Sequence, residues 1–176
     1  MRTQTKILLG ALAVVVGLWL FSRTSKGQQV VDTVTQYIGD ALTPRGIRNN
    51  NPGNIVRSSI QWQGSLPADQ VQQVLGTAYD TKFEQFAAPS YGVRAIGHVL
   101  LSKQARGLTN VDAIIRDYST TDQEDYIANV AQALNVDPQQ DIDVGAVLPA
   151  FAAAIIQQEN GQQPYELSDI ANWVYS

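Results

Sequence analysis

The stretch from Pro44 to Ile55, Pro-Arg-Gly-Ile-Arg-Asn-Asn-Asn-Pro-Gly-Asn-Ile, sets the tightest limit on the fold. Neither a helical period nor a strand alternation runs through it. Pro44 and Pro52 remove backbone donors, while Gly46, Gly53 and the asparagines Asn49, Asn50, Asn51 and Asn54 tolerate left-handed backbone. Asparagine side chains also bond the local main chain. The segment is a loop of specified shape, and the elements on either side must be built around it.

The composition leaves room for one domain with a core and a short appendage: 176 residues, 44% hydrophobic and 16% charged. A net charge of −4 does not suit a groove that tracks phosphates, so no nucleic acid is expected as a partner. Cysteine is absent, which removes disulfides, thiolate metal sites and cysteine nucleophiles. The single histidine, His98, lies in a helical pattern and reads as structural or surface; zinc hydrolases use two or three. No metal or cofactor is expected, and an enzyme on this chain would run its acid–base chemistry on carboxylates.

Residues 7–21, Ile7 to Phe21, carry no charge. At 1.5 Å per residue they make about 23 Å of helix, against roughly 30 Å for a hydrocarbon core. Lys6 and Arg23 flank the stretch and Trp19 sits where an interfacial ring belongs. Three readings stay open: a membrane anchor formed by one transmembrane helix, a cleaved signal peptide, and a segment that can leave the membrane. Residues 1–27 are expected to be anchor and linker, and residues 28–176 a folded domain. Val30, Val34, Tyr37, Ile38 and Leu42 predict a first helix that ends at Thr43-Pro44.

Beyond the loop, Ile60 and Trp62 predict a short strand, and Tyr79 to Phe86 a second. The chain then turns helical. A helix follows from Pro89 to about Gln104, another after Thr109 or Asn110, and a third after Asp122 carrying Tyr126, Ile127 and Val130. Val144 to Ile156 is the most apolar soluble stretch and predicts a buried central helix kinked at Pro149, closed by Glu159-Asn160-Gly161. Ser168 opens a last helix. The expected fold class is mainly α (α+β), a helical domain with a small β element beside the loop.

The segment Arg45-Gly46-Ile47-Arg48-Asn49-Asn50-Asn51-Pro52-Gly53-Asn54-Ile55 resembles the signature of a group of phage virion proteins related to the lysozyme-like peptidoglycan hydrolases. Further blocks follow in order: Trp62-Gln63-Gly64, Phe83 and Phe86 with Pro89-x-Tyr91-Gly92-Val93, Tyr126 to Pro138, and Ile155 to Tyr165. The resemblance implies a lysozyme-like domain, of the lytic transglycosylase type, that cleaves or binds peptidoglycan glycan strands. It also implies a place in the virion, with other virion proteins as neighbours and a membrane held through Ile7–Phe21, and a role in opening the wall during genome entry. Two alternatives stand beside it: a non-enzymatic virion or wall-binding component of the same fold, and a membrane-tethered endolysin acting at lysis.

Glycoside cleavage needs a carboxylic acid, and hydrolysis usually a second carboxylate. In the enzymes this chain resembles, the acid ends the first long helix, before the loop; here only Asp32 and Asp40 lie in that region. The catalytic candidates are therefore Glu159, at the end of the most apolar helix, and Glu84, between two phenylalanines. Glu124 and Glu166 read as structural or surface positions. Asn49, Asn50, Asn51 and Asn54 offer both donors and acceptors to sugar hydroxyls and acetamido groups. Trp62, Tyr91 and Tyr165 are candidates to stack on sugar faces.

Overall fold

The computed structural model describes residues 42–176 together with residues 25–26, 28–30 and 32–33. Pro44–Ser176 form one compact unit. The described residues before it are mostly helical, with Gln28 donating to Asp32 and the Thr33 hydroxyl to the Gln29 carbonyl.

The compact unit runs through helices α1 (Arg45–Arg48), α2 (Ala68–Leu75), α3 (Pro89–Ala105), α4 (Val111–Tyr118), α5 (Gln123–Leu134), α6 (Val144–Asn160) and α7 (Leu167–Val174). Helix α6 is central: α3, α5 and α7 all pack on it, and α1 touches it too. The reason lies in its sequence. Leu148, Phe151, Ala152, Ile155 and Ile156 form one fully buried stripe, and Val147, Ala153 and Ala154 beside it are partly buried against the core. Val93, Ile96 and Leu100 of α3, Ile114 and Ile115 of α4 and Ile127 and Val130 of α5 close the core around it. The helix runs through Pro149 unbroken, starts where the Asp143 carboxylate accepts from the Gly145 N–H, and stops at Gly161 in left-handed backbone (φ 67°).

Several expectations need correction. The small β element does not form: among the described residues there is no strand, only the isolated bridges Val56–Phe83 and Ser65–Phe86. Scattered backbone bonds, from the Glu84 N–H to the Ile55 carbonyl and from the Phe86 N–H to the Asn49 carbonyl, share the ladder's place with side chains. Phe83, Glu84, Gln85 and Phe86 are all buried, so strand alternation is absent, and asparagine amides take the Glu84 and Phe86 carbonyls. The fold is therefore helical, without the β part. The transmembrane helix expected at Ile7–Phe21 and most of the first predicted helix lie outside the described residues; among the described residues no helix is long and apolar enough to cross a membrane. At the helix starts, Asn110 does cap α4 by accepting from the Ala113 N–H. Asp122 precedes α5 in left-handed backbone with no side-chain cap bond, and α7 begins at Leu167, before Ser168.

Candidate functional site

The asparagine loop is wired from within. Asn51 is fully buried; its amide donates to the carbonyls of Ile55 and Glu84, both at 2.9 Å, and its oxygen accepts from the Ile55 N–H. Asn50, in left-handed backbone (φ 50°), donates to the Phe86 carbonyl. Asn49 donates to Asp80 and accepts from Gln85. These three amides tie the loop to the 80–86 segment. Asn54 faces elsewhere: at φ 47° its amide donates to Oε2 of Glu159 at 2.8 Å.

Glu159 reaches the loop because its neighbour clamps it there. Asn160 donates to the Pro52 carbonyl at 2.7 Å and to the Ile156 carbonyl of its own helix. The last turn of α6 is thus pinned to the loop, with Glu159 turned toward Asn54. The Tyr126 hydroxyl of α5 supplies a second bond, to Oε1 at 3.1 Å. Tyr118, at the end of α4, stands edge-on to Tyr126 and donates to the Gly53 carbonyl at 2.7 Å. Burial pushes both phenols well above their ordinary range, reinforced by the charge of Glu159, so both stay protonated. A tyrosine hydroxyl can donate to a carboxylate and accept from a carboxylic acid, so the Tyr126 contact suits either form of Glu159.

Glu159 lines two hollows. The larger, about 410 Å³, runs between Asn54, Arg45, Lys82, Phe83, Tyr118 and residues 119–121. The smaller, about 160 Å³, shares Ser119, Thr121 and Glu159 and adds Asp122, Tyr126 and Gln158. Glu159 therefore borders two open spaces. Among the described residues no cation pairs with it.

The structure places the other candidates apart from this point. Glu84 is 3% exposed, ion-paired to Arg57 at 3.2 Å and bonded by the Ser65 hydroxyl at 2.7 Å. It lines a separate hollow of about 350 Å³ with Trp62 and Tyr79, where the Trp62 indole N–H and one Arg57 nitrogen are buried without a partner. Tyr91 packs over Gly64, and Tyr165 stands edge-on to Trp173 at 5.6 Å against the core. His98 is exposed on α3. Among the described residues no cluster of His, Cys, Asp or Glu could hold a metal ion. Sequence reasoning offered Arg45 as a group that meets carboxylates or pairs with an aspartate, and missed Tyr126, Tyr118, residues 119–121 and Lys82 beside Arg45. The hydroxyl on an otherwise apolar face of α5 was the available signal for Tyr126.

This is a helical domain with a carboxyl-centred cleft whose wall is the asparagine loop. No family model matches the chain. It is 33% identical over 133 residues to Protein P5 of Pseudoalteromonas phage PM2, an alignment that covers 72% of this chain and 77% of that protein. The chain belongs to the family of this phage protein.

Proposed function

We propose that the chain is a virion-associated glycosidase that cuts the glycan strands of peptidoglycan, with Glu159 as the general acid and residues 28–176 as the processing domain. The observation that carries the reading is the Glu159 carboxyl itself. It is part-buried, held by two neutral donors and no cation, and open to two adjoining hollows. Glu84 is the weaker candidate, because its charge is already spent on Arg57 and Ser65. Kinship with a phage protein supports the virion assignment and other virion proteins as neighbours.

In the step proposed, Glu159 gives its proton to the glycosidic oxygen as the bond to the anomeric carbon breaks. Among the described residues that line the larger hollow there is no second carboxylate. That favours a lytic transglycosylase route, in which the sugar's own C6 hydroxyl closes on the anomeric carbon and returns its proton to Glu159. Asn54 and Tyr126 fix the carboxyl in place; the loop and residues 119–121 are the surfaces that would hold the sugars. A second reading has its own support: Asp122 lines the smaller hollow with Glu159, and two carboxylates there would suit hydrolysis by water.

Incubating the full chain with purified cell walls tests the proposal. Solubilised fragments with anhydro ends are expected, and reducing ends would select the hydrolytic route. Glu159→Gln should abolish release, with a loss of about 100-fold or more. No release by the wild type across pH and salt would reject the glycosidase and leave a structural or wall-binding virion component. Detection in purified particles checks the virion assignment.

A further inference from the structure

The wall of the larger hollow carries two cations with no carboxylate partner among the described residues. The Arg45 guanidinium sits 3.7 Å from the centroid of the Phe83 ring, and the Lys82 ammonium 5.1 Å from the same centroid. Both side chains are exposed and both line the hollow that holds Glu159. Arg57, Lys103, Arg106 and Arg116 all form ion pairs; among the described residues Arg45 and Lys82 form none. The carboxylate that feels Arg45 is Asp80, but its oxygens are taken by the N–H groups of Lys82 and Phe83 and by the Asn49 amide. The chain has 16 acidic residues for 12 Lys and Arg, so unpaired cations sharing one ring are not forced by composition. Two like charges beside one ring repel, and an anion bound between them would offset that repulsion. Among the described residues that line the cleft, Glu159 is the one acidic side chain.

Resting on the glycosidase reading, we propose that Arg45 and Lys82 form a carboxylate-recognition subsite. It selects glycan strands that carry side-arm carboxylates over neutral strands of N-acetylated sugars. The shared chemistry is a carboxylate on a lactyl ether or on the peptide attached to it. Arg45 offers a planar fork that matches a carboxylate and Lys82 a point charge, and the Phe83 ring orients both.

The experiment measures kcat/KM of the full chain on three strands of equal length. One carries stem peptides, one has been stripped by an amidase to leave free lactyl carboxylates, and one is a neutral chitin oligosaccharide. At low salt the carboxylate strands should exceed chitin by roughly tenfold or more, and the excess should shrink as salt rises. A rise on stripping assigns the lactyl carboxylate, which is tied up as an amide while the peptide is attached; a drop on stripping assigns the peptide carboxylates, and equal turnover above chitin means that the subsite takes either. Arg45→Gln with Lys82→Gln should bring the ratio close to one, with a thermal midpoint near that of the wild type. Arg45→Lys alone should keep most of the preference. Equal turnover of all three strands by the wild type, or an unchanged ratio in the double variant, overturns the subsite and leaves the glycosidase standing. Turnover on none of the three fails the glycosidase reading, and the subsite with it.

Discussion

Asn54 and Tyr126 each hold one oxygen of Glu159, and their removal should differ in kind. Tyr126→Phe deletes one hydroxyl from a buried position, with a stability loss of about 1 kcal/mol. If Glu159 is the acid, wall-clearing rates should fall by roughly 10-fold or more as the carboxyl loses its orientation. Asn54 also carries a left-handed backbone, so Asn54→Ala adds a conformational penalty of about 1–2 kcal/mol and Asn54→Gly does not. Both variants should lose activity alike, while thermal melts separate them, glycine the more stable. Glycine and alanine melting together would mean that the backbone strain argued for this position is absent. The loop's asparagines show what residue-level reading could reach. Their number announced a shaped loop. Which amide faces the cleft depends on where the Glu84 and Phe86 carbonyls lie, and those belong to a distant segment.

Helices α3 to α7 were legible as elements because their apolar residues recur at a helical period, and α6 was recognisable as central from its unbroken apolar sequence; α1, inside the loop stretch, and α2, which lacks a clear pattern, were not. The expected strands failed because period-2 alternation assumes one continuous partner strand. Around Phe83–Phe86 the partner changes from residue to residue, backbone at Ile55, Asn49 and Leu66 and asparagine amides at the Glu84 and Phe86 carbonyls, which no local pattern reports. The contact between α3 and the loop is set by Gly92. A methyl group there would lie 2.0 Å from the Asn50 carbonyl oxygen and 2.9 Å from the Pro52 ring. Helix propensity alone predicts that Gly92→Ala stabilises, by up to about 1 kcal/mol. The close approach predicts the opposite sign, a loss of about 3 kcal/mol, because the obstructing atom is backbone and cannot rotate away. Denaturant unfolding decides between them, and a gain in stability would show that α3 and the loop can separate at little cost.

Across the whole unit, the cleft is a seam between parts that are far apart in the chain: Asn54 meets Glu159 across 105 residues. Sequence offered both residues as candidates and grouped the loop with the Glu159 turn, but no local pattern singles out Asn54 as the amide that bonds Glu159. Two aspartates hold this assembly, and they make its stability depend on pH. Burial raises the Asp80 carboxyl, but bonds from the N–H groups of Phe83 and Lys82 and from Asn49, with the charge of Arg45, outweigh it and leave it below 3.8. Asp117 is lowered by bonds from Lys103 and Arg106, which join α4 to the end of α3. A carboxyl depressed in the folded state binds its proton more readily when unfolded. Its contribution is therefore complete above the ordinary aspartate value and disappears as pH falls through the lower, folded one. Urea midpoints should hold from pH 7 to about 5 and then drop steadily toward pH 3. Asp80→Asn keeps an acceptor for the backbone N–H groups but loses the charge that Arg45 and the donors favour. Asp117→Asn breaks the pairing with buried Lys103. Each variant should be less stable than the wild type at pH 7 and show a shallower fall below pH 5, so the curves converge in acid. Parallel curves would mean that other carboxylates carry the acid sensitivity and that neither aspartate holds the seam.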